Sequence, residues 1–354
     1  MTKVLLTSLT TLTLAAAAVG CVPEFDDNLS LVSGRRVLAV RSVPAEAKPG
    51  EEVEFTVLIA TSEGAAEDAD SLTWDFCTSP KPLTELGPVA QVCVDEFGGS
   101  SKYLTAIGRG PTVQAALPAD GCRNFGPIGP SAGEEGVTGR PADPDATGGY
   151  YQPVVFGDDV VNLASPRISC GLDRFPSQPT IEFNAGYRPN ENPEIAALHF
   201  TANGNEGELL PGTDASLTVA PGTAVDLRLE WAACPREAEC GDGLCTAGES
   251  PASCREDCEI DPRGCTGAET YLAGDRSTSQ LVERREGMTA AWYTTSGLFG
   301  AEQTARLEQD ADGTDTSNGW TAPDEAGEVR LWLVLRDDRG GVGWNEYRIR
   351  VESP

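Results

Sequence analysis

Histidine is almost missing from this chain: His199 is the only one among 354 residues. One imidazole excludes metal centres built from several histidines. Cationic side chains are scarce as well, 26 Lys and Arg against 55 Asp and Glu, for a net charge of -29. That deficit argues against nucleic acid and an anionic membrane surface as partners, because phosphate binding takes clustered cations that displace counterions. No CxxC pair occurs, and neither a Walker loop nor a dinucleotide glycine fingerprint is present. Two Met and 6% aromatic residues stand beside 39 Gly and 25 Pro, a balance of small residues and turn formers that suits short strands. Beyond the amino terminus no stretch sustains helical periodicity. At roughly 150 residues per domain the length suits about two domains, and 40% hydrophobic residues suffice for their cores.

What is present is alternation with a period of two. Residues 36–44 (RVLAVRSVP) read as one strand. After a Pro49-Gly50 turn, Val53, Phe55, Val57 and Ile59 alternate with Glu52, Glu54, Thr56 and Leu58 in a second. Residues 72–77, 112–117, 150–156 and 166–169 follow as further strands. Residues 123–149 are rich in Gly, Pro and acids with almost no large apolar side chain, which predicts a mobile loop. The NENP stretch at residues 190–193 marks a junction, beyond which residues 195–201 alternate and Leu217 and Val219 begin another strand. Pro49-Gly50, the strand after it, and Trp74 to Cys77 are echoed by Pro221-Gly222, TAVDLRLE, and Trp231 to Cys234, an internal repeat that suggests one sandwich duplicated. Strands resume at residues 287–295, 327–336 and 342–351. In the middle one Val329, Leu331, Leu333 and Leu335 share one face while Trp332 and Val334 occupy the other, so that strand must be central or covered.

The amino terminus carries Lys3 and then an uncharged run rich in Leu, Thr and Ala from Val4 to Val19, the pattern of an export signal. Its last residues, Ala18-Val19-Gly20-Cys21, resemble the lipobox of bacterial lipoproteins. The resemblance implies cleavage before Cys21, a diacylglycerol on its thiol, and acylation of the new amine; several acyl chains anchor a protein stably where one does not. Val22 is not the Asp that this family uses for inner-membrane retention, which implies the outer membrane, at its periplasmic face or at the cell surface. Residues 1–20 are therefore expected to be a signal peptide and residues 21–35 a tether. The tether would reach roughly 45 Å if extended and keep the first domain near the membrane.

Ten further cysteines are Cys77, Cys93, Cys122, Cys170, Cys234, Cys240, Cys245, Cys254, Cys258 and Cys265. An even number in an exported chain predicts disulfides. Six of them fall within residues 234–265, where almost no apolar residue occurs, so this segment is too small for a core and needs cross-links. Six cysteines allow about 15 pairings, and the spacing does not choose among them. The run CGDGLCTAGESPASCREDC is similar to a recurrent bacterial C-G-D-G-x-C-x-x-G-E-S-x-x-x-C-x-x-D-C module and matches at each fixed position. Within it Asp242, Glu249 and Asp257 support two readings, as oxygen ligands for calcium or as turn residues that satisfy local N–H groups. A second acidic run, Asp310, Asp312 and Asp315, lacks the Gly and the Glu of an EF-hand loop.

Towards the carboxy terminus, Trp292 to Phe299 (WYTTSGLF), Trp320 to Gly327 (WTAPDEAG), the apolar strand and Arg336 to Gly341 (RDDRGG) resemble bacterial immunoglobulin-like domains of the PKD and cadherin-like kind. The whole arrangement resembles lipoproteins of myxobacteria-like species that join such domains to a CGDGxCxxGES insert. Other chemistries find little support. Gly129-Pro-Ser131-Ala-Gly133 matches G-x-S-x-G but sits in a Pro-rich loop, away from a tight strand-to-helix turn. Acid pairs such as Asp158-Asp159 and Asp337-Asp338 arise by coincidence among 55 acids. His199 lies between Leu198 and Phe200, which point to the opposite face, and reads as a solvated strand residue. Trp74, Trp231, Trp292 and Trp332 read as core, whereas Trp320 and Trp344 flank turns and are candidates for stacking on sugars.

The sequence thus predicts an all-β protein of two tandem immunoglobulin-like β-sandwiches with a small disulfide-rich insertion. The first covers residues 36–190, the second residues 191–233 and 266–354, and the cysteine-rich insert residues 234–265. No catalytic residue and no cofactor is expected, with calcium the one metal in contention. The expected role is structural, adhesive or protein-interacting within the cell envelope. Its partners would be the membrane, through the lipid anchor, and a protein or polysaccharide, with no nucleic acid. The competing role is a glycan- or calcium-binding accessory subunit of an envelope complex.

Overall fold

The computed structural model describes residues 28–65, 69–82, 84–127, 145–172, 175–212, 214–235, 237, 239–246, 249–259, 264–310 and 313–353. The chain is all-β, with two sandwiches and four short helices among the described residues. In the amino-terminal half, β1 (Arg36–Val43) leads through the short β2 (Glu46–Ala47) and a Pro49-Gly50 turn into β3 (Glu52–Thr61). Gly50 holds φ at +85°, a left-handed conformation that only glycine adopts freely. β4 (Gly64–Ala65) and β5 (Thr73–Cys77) follow, then helix α1 (Gln91–Asp95), β6 (Leu104–Arg109), β7 (Thr112–Ala116) and helix α2 (Gly121–Phe125). β8 (Asp145–Ala146), β9 (Gly149–Tyr151), β10 (Val154–Gly157), β11 (Val161–Ala164), β12 (Arg167–Ser169) and helix α3 (Ser177–Gly186) complete this half.

One sheet of the first sandwich sets β3 between β1 and β7, and the facing sheet runs β11-β10-β5-β6. Lettered by chain order, these are A-B-E against G-F-C-C′, the immunoglobulin arrangement. The alternation of β3 buries Val53, Phe55, Val57 and Ile59 in the core between the sheets. There Trp74 of β5 stacks on Phe156 of β10 with ring centroids 4.1 Å apart, and Phe55 meets Phe76 edge-on.

The second half begins with β13 (Ile195–Ala202), the hairpin strand β14 (Asn205–Leu209), β15 (Leu217–Val219) and β16 (Ala224–Trp231), which again follows a Pro-Gly turn with Gly222 at φ +69°. Helix α4 (Arg255–Cys258) lies in the cysteine-rich segment. Then come β17 (Thr270–Asp275), β18 (Gln280–Arg285), β19 (Met288–Thr294), β20 (Leu298–Phe299), β21 (Gln303–Arg306), β22 (Asp315–Thr321), β23 (Gly327–Asp337) and β24 (Val342–Val351). The sheets run β14-β13-β16-β22-β20 and β15-β24-β23-β19-β21. Their centre is A-B-E-D against G-F-C, with β15 parallel to the last strand. Leu227, Leu229, Trp292, Leu331, Leu333, Tyr347 and Ile349 fill the core between them.

The internal repeat needs one revision. Both Pro-Gly turns open strand B of their sandwiches, as the echo implies. Trp74, however, lies on strand C, whereas Trp231 ends strand B; by position the counterpart of Trp74 is Trp292. The two Trp-x-x-Cys runs share spacing but not place.

The sandwiches pack against each other through a third apolar layer. Leu38, Ala39, Leu58 and Ala60 of the first meet Ala291, Trp332 and Val334 of the second, joined by Val32 and bordered by Tyr293, Val342 and Trp344. The double-faced pattern of β23 has this cause: one face fills its own sandwich, the other is covered by the neighbour. The tether expectation is corrected in part, because residues 28–32 do not hang free. Leu31 bridges to Thr294 in parallel, and Val32 N donates to Thr294 O at 2.8 Å.

Other departures are local. The expected mobile loop at 123–149 begins inside α2 and ends on β8 and β9, while residues 128–144 lie outside the described residues. The hairpin β17-β18, expected within the second sandwich, joins β8 in a separate three-stranded sheet. Helix α3 gave no periodic signal because it buries one large side chain, Phe183, on a short turn-rich segment.

Candidate functional site

Three features hold chemistry-bearing side chains together: the junction between the sandwiches, the cysteine-rich segment, and an outward sheet face. At the junction, the β23-β24 turn carries Arg339 inward, where it is 1% exposed. Its guanidinium donates to Glu286 Oε1 at 2.6 Å, to Glu269 Oε2 at 2.5 Å and to the Arg188 carbonyl at 3.1 Å. Asp337, at the end of β23, accepts from Arg339 N and Gly341 N at 2.9 and 2.8 Å and from Asn190 Nδ2. Glu46 sits beside them on the first sandwich. It accepts from Arg167 Nε at 2.9 Å, Ser169 Oγ at 2.8 Å, Asn190 N at 3.0 Å and the Tyr187 hydroxyl.

The electrostatics follow from crowding. Burial raises the Glu286 carboxyl well above its usual range despite the pull of Arg339. Burial likewise pushes Glu269 up to about 7, with Arg339 opposing, and raises Asp337. Glu46 goes the other way: burial alone would raise it, but Arg167, Arg339, the Tyr187 hydroxyl and the Asn190 amide together bring it below its usual value. Sequence reading saw NENP and RDDRGG only as a junction and a turn, and it missed Glu46, Arg167, Glu269, Glu286 and Arg339 altogether. No local pattern marks them, since the partners stand far apart in the chain: 121 positions separate Glu46 from Arg167, and 53 and 70 separate Arg339 from Glu286 and Glu269.

In the cysteine-rich segment Cys234–Cys265 closes the base, while Cys240–Cys254 and Cys245–Cys258 interlace above it. The first sandwich holds Cys77–Cys93 and Cys122–Cys170. Asp257 is buried and accepts from Gly241 N at 2.6 Å and Gly243 N at 3.2 Å. Glu249, also buried, accepts from Thr246 N at 2.8 Å, and exposed Asp242 from Leu244 N at 2.8 Å. The geometry matches the turn reading of these three acids. Glu249 and Asp257 do approach each other and the Cys254 sulfur within 4.8 Å, but that sulfur is in a disulfide, and Asp242 is outside the group. A guanidinium N–H of Arg188 donates to the Glu249 carbonyl and ties the knot to the junction.

The outward face of β14-β13-β16-β22 forms a groove of about 870 Å³. Register places Glu208, His199, Arg228 and Ser317 on one rung and Glu206, Thr201, Asp226 and Gly319 on the next. His199 Nε2 lies 3.2 Å from Glu230, and Arg228 pairs with Glu230 and Asp315. This is where the single histidine was expected, on a solvated face. The tryptophans are elsewhere. Trp320 is 1% exposed and donates to the Ser296 carbonyl, which overturns its reading as a sugar platform. Trp344 borders the layer between the sandwiches, with the Arg41 guanidinium 4.6 Å from its ring. Cys21, Ser131 and Asp312 lie outside the described residues.

No protein-family model and no curated protein matches the chain. Among solved structures it is similar to the Yersinia pseudotuberculosis adhesin InvE, at 8% identity over 90% of this chain and 58% of that one, with a TM-score of 0.19. The D0-D1 domain of intimin shares 9% identity over 90% and 96% of the two chains, TM-score 0.17. Fibronectin(III)-like modules of Clostridium thermocellum CbhA share 6% over 89% and 95%, TM-score 0.19. Scores this low carry no argument, and the assignment of the fold rests on the chain's own sheet order.

Proposed function

We propose that the chain is a non-catalytic, lipid-anchored protein of the cell envelope that presents its knot and its polar sheet faces to a protein or polysaccharide partner. The observation that carries this reading is the place of the perturbed ionisable groups. Glu269, Glu286, Asp337 and Arg339 are sealed inside the junction and bind one another, out of reach of a substrate. Perturbed acids in an open cleft would argue for catalysis; these are buried and mutually paired in the second half of the chain, and Asn190 links Asp337 to Glu46 of the first sandwich. Expression in a Gram-negative host tests the reading. Cys21→Ser should release the protein from the membrane or leave it unprocessed, and unchanged membrane partitioning would refute the anchor.

The groove beside His199 favours a second reading, a ligand-binding subunit. Its acids Glu206, Glu208 and Asp226 and the donor Arg228 suit hydroxyl-rich or cationic ligands. No tryptophan lines it. Glycan-array binding that is lost in Arg228→Ala would establish this role over a purely structural one.

A further inference from the structure

We infer that the protein stands on the bilayer with the end of the second sandwich that carries Leu29, Thr294 and Leu298 turned to the lipid, and with the cysteine-rich knot held at the opposite end. The inference rests on Cys21 being the lipid anchor and adds a direction to it. It adds the second sandwich to the simpler expectation that the first sandwich sits nearest the membrane, since Arg36 of the first lies over Tyr293 at this same end.

The argument starts from where the chain enters the fold. Thr294 N donates to Ser30 O and Val32 N to Thr294 O, both at 2.8 Å. Leu29 N donates to Glu302 Oε1 at 3.0 Å, and Arg36 Nη1 to Leu29 O at 2.6 Å. Val32 is wholly buried in the layer between the sandwiches. The entering chain is therefore fastened to the second sandwich before it reaches β1. From Cys21 to Asn28 only about seven residue steps remain, which span at most roughly 25 Å when extended.

Strand register then locates the knot. Thr294 is the last residue of β19, and four residues later Leu298 pairs with Thr321, which itself pairs with Ala224. All of these mark one end of the sandwich. β16 runs from Ala224 away from that end to Trp231, a climb of roughly 23 Å at about 3.3 Å per residue. The knot begins immediately beyond, at the Cys234–Cys265 bridge. Charge agrees with an upright stance. A chain of net charge -29 is repelled by anionic headgroups, which opposes lying flat, while the anchored end exposes Leu29 and Leu298 at 51% and 58%.

The test uses the full-length lipidated protein in vesicles of phosphatidylethanolamine and phosphatidylglycerol that contain a rhodamine lipid as energy acceptor. An azide-bearing phenylalanine replaces exposed Leu298 in one variant and exposed Ala252 in the other, and each is coupled to the same donor dye. Given the strand length between the two sites, transfer from position 298 should be at least about twofold more efficient than from position 252. Equal or stronger transfer from position 252, in protein that floats with the vesicles, overturns the orientation. Loss of flotation overturns the anchor reading instead. A second measurement needs no substitution in the fold. Arg255 in the knot has a side chain 77% exposed, so trypsin should cut there as fast in vesicle-bound protein as in the released Cys21→Ser form. Slowing of about tenfold or more on vesicles would place the knot against the lipid, given the strand-length separation.

Discussion

The guanidinium of Arg339 and the carboxylate of Glu286 meet at 2.6 Å with side chains only 2% and 1% exposed. A pair this dry is held by the β23-β24 turn on one side and the residue after β18 on the other, with the Arg188 carbonyl as a further acceptor for the guanidinium. Replacing Arg339 with Met would leave Glu269, Glu286 and Asp337 without their cation. Removing one partner of such a pair typically costs about 3–5 kcal/mol, and denaturant titration of Arg339→Met at about pH 8 should show a loss of that order. Near pH 5 the loss should shrink, because Glu269, raised to about 7, then holds a proton and Glu286 is shifted the same way.

The same cluster sets the dependence of the native protein on pH. Glu269 is raised from 4.5 to about 7, so the folded state binds its proton more tightly than the unfolded chain does. Its contribution is complete below 4.5 and is lost as pH climbs through about 7. Glu286 and Asp337 shift in the same direction. Glu46 is lowered, so its contribution is complete above 4.5 and is lost as pH falls through its folded value. The melting temperature should therefore rise on acidification from about pH 8 to about pH 5 and fall again below. A curve that declines steadily from pH 8 downwards would contradict this.

Trp332 covers the apolar layer between the sandwiches. Trp332→Ala should cost about 3–5 kcal/mol, in the range for a buried aromatic. Because Trp332 points away from the core of its own sandwich, the loss should fall on the docking step. Calorimetry should then resolve two transitions where the parent protein gives one, and scattering should report a larger radius of gyration.

All ten cysteines after Cys21 are paired. Mass spectrometry of the unreduced protein should find none of them alkylated. The double variant Cys240→Ser with Cys254→Ser removes one of the two interlaced bridges from a segment without an apolar core. At about 2–4 kcal/mol for a bridge, the knot should become sensitive to protease while the melting of the sandwiches stays within roughly 2 °C, as expected for a locally unfolding unit.

Much of the sandwich framework was legible in the chain. The period-two runs of β3, β16 and β24 follow from residues whose neighbours i and i+2 face the same way, a purely local relation. The Pro-Gly turns and the even cysteine count needed no tertiary knowledge either. The candidate site was far less legible. Asp242, Glu249 and Asp257 carried two meanings in sequence, and the N–H groups they accept from, those of Gly241, Gly243, Leu244 and Thr246, came into view only with the fold. Trp320 looked exposed because it precedes a turn, yet its ring is covered by its own sandwich.

By itself the sequence determined the all-β class, where strands begin and turn, that β23 had to be apolar on both faces, and that a core-poor segment needed cross-links. Tertiary structure alone decided what covers Trp332, which cysteines pair, how the entering chain is fastened to Thr294, and which acids gather round Arg339. The reason is separation along the chain. Alternation is read within a few residues, whereas the Arg336 guanidinium that caps the Leu38 carbonyl lies 298 positions away, and no local pattern carries information across that distance.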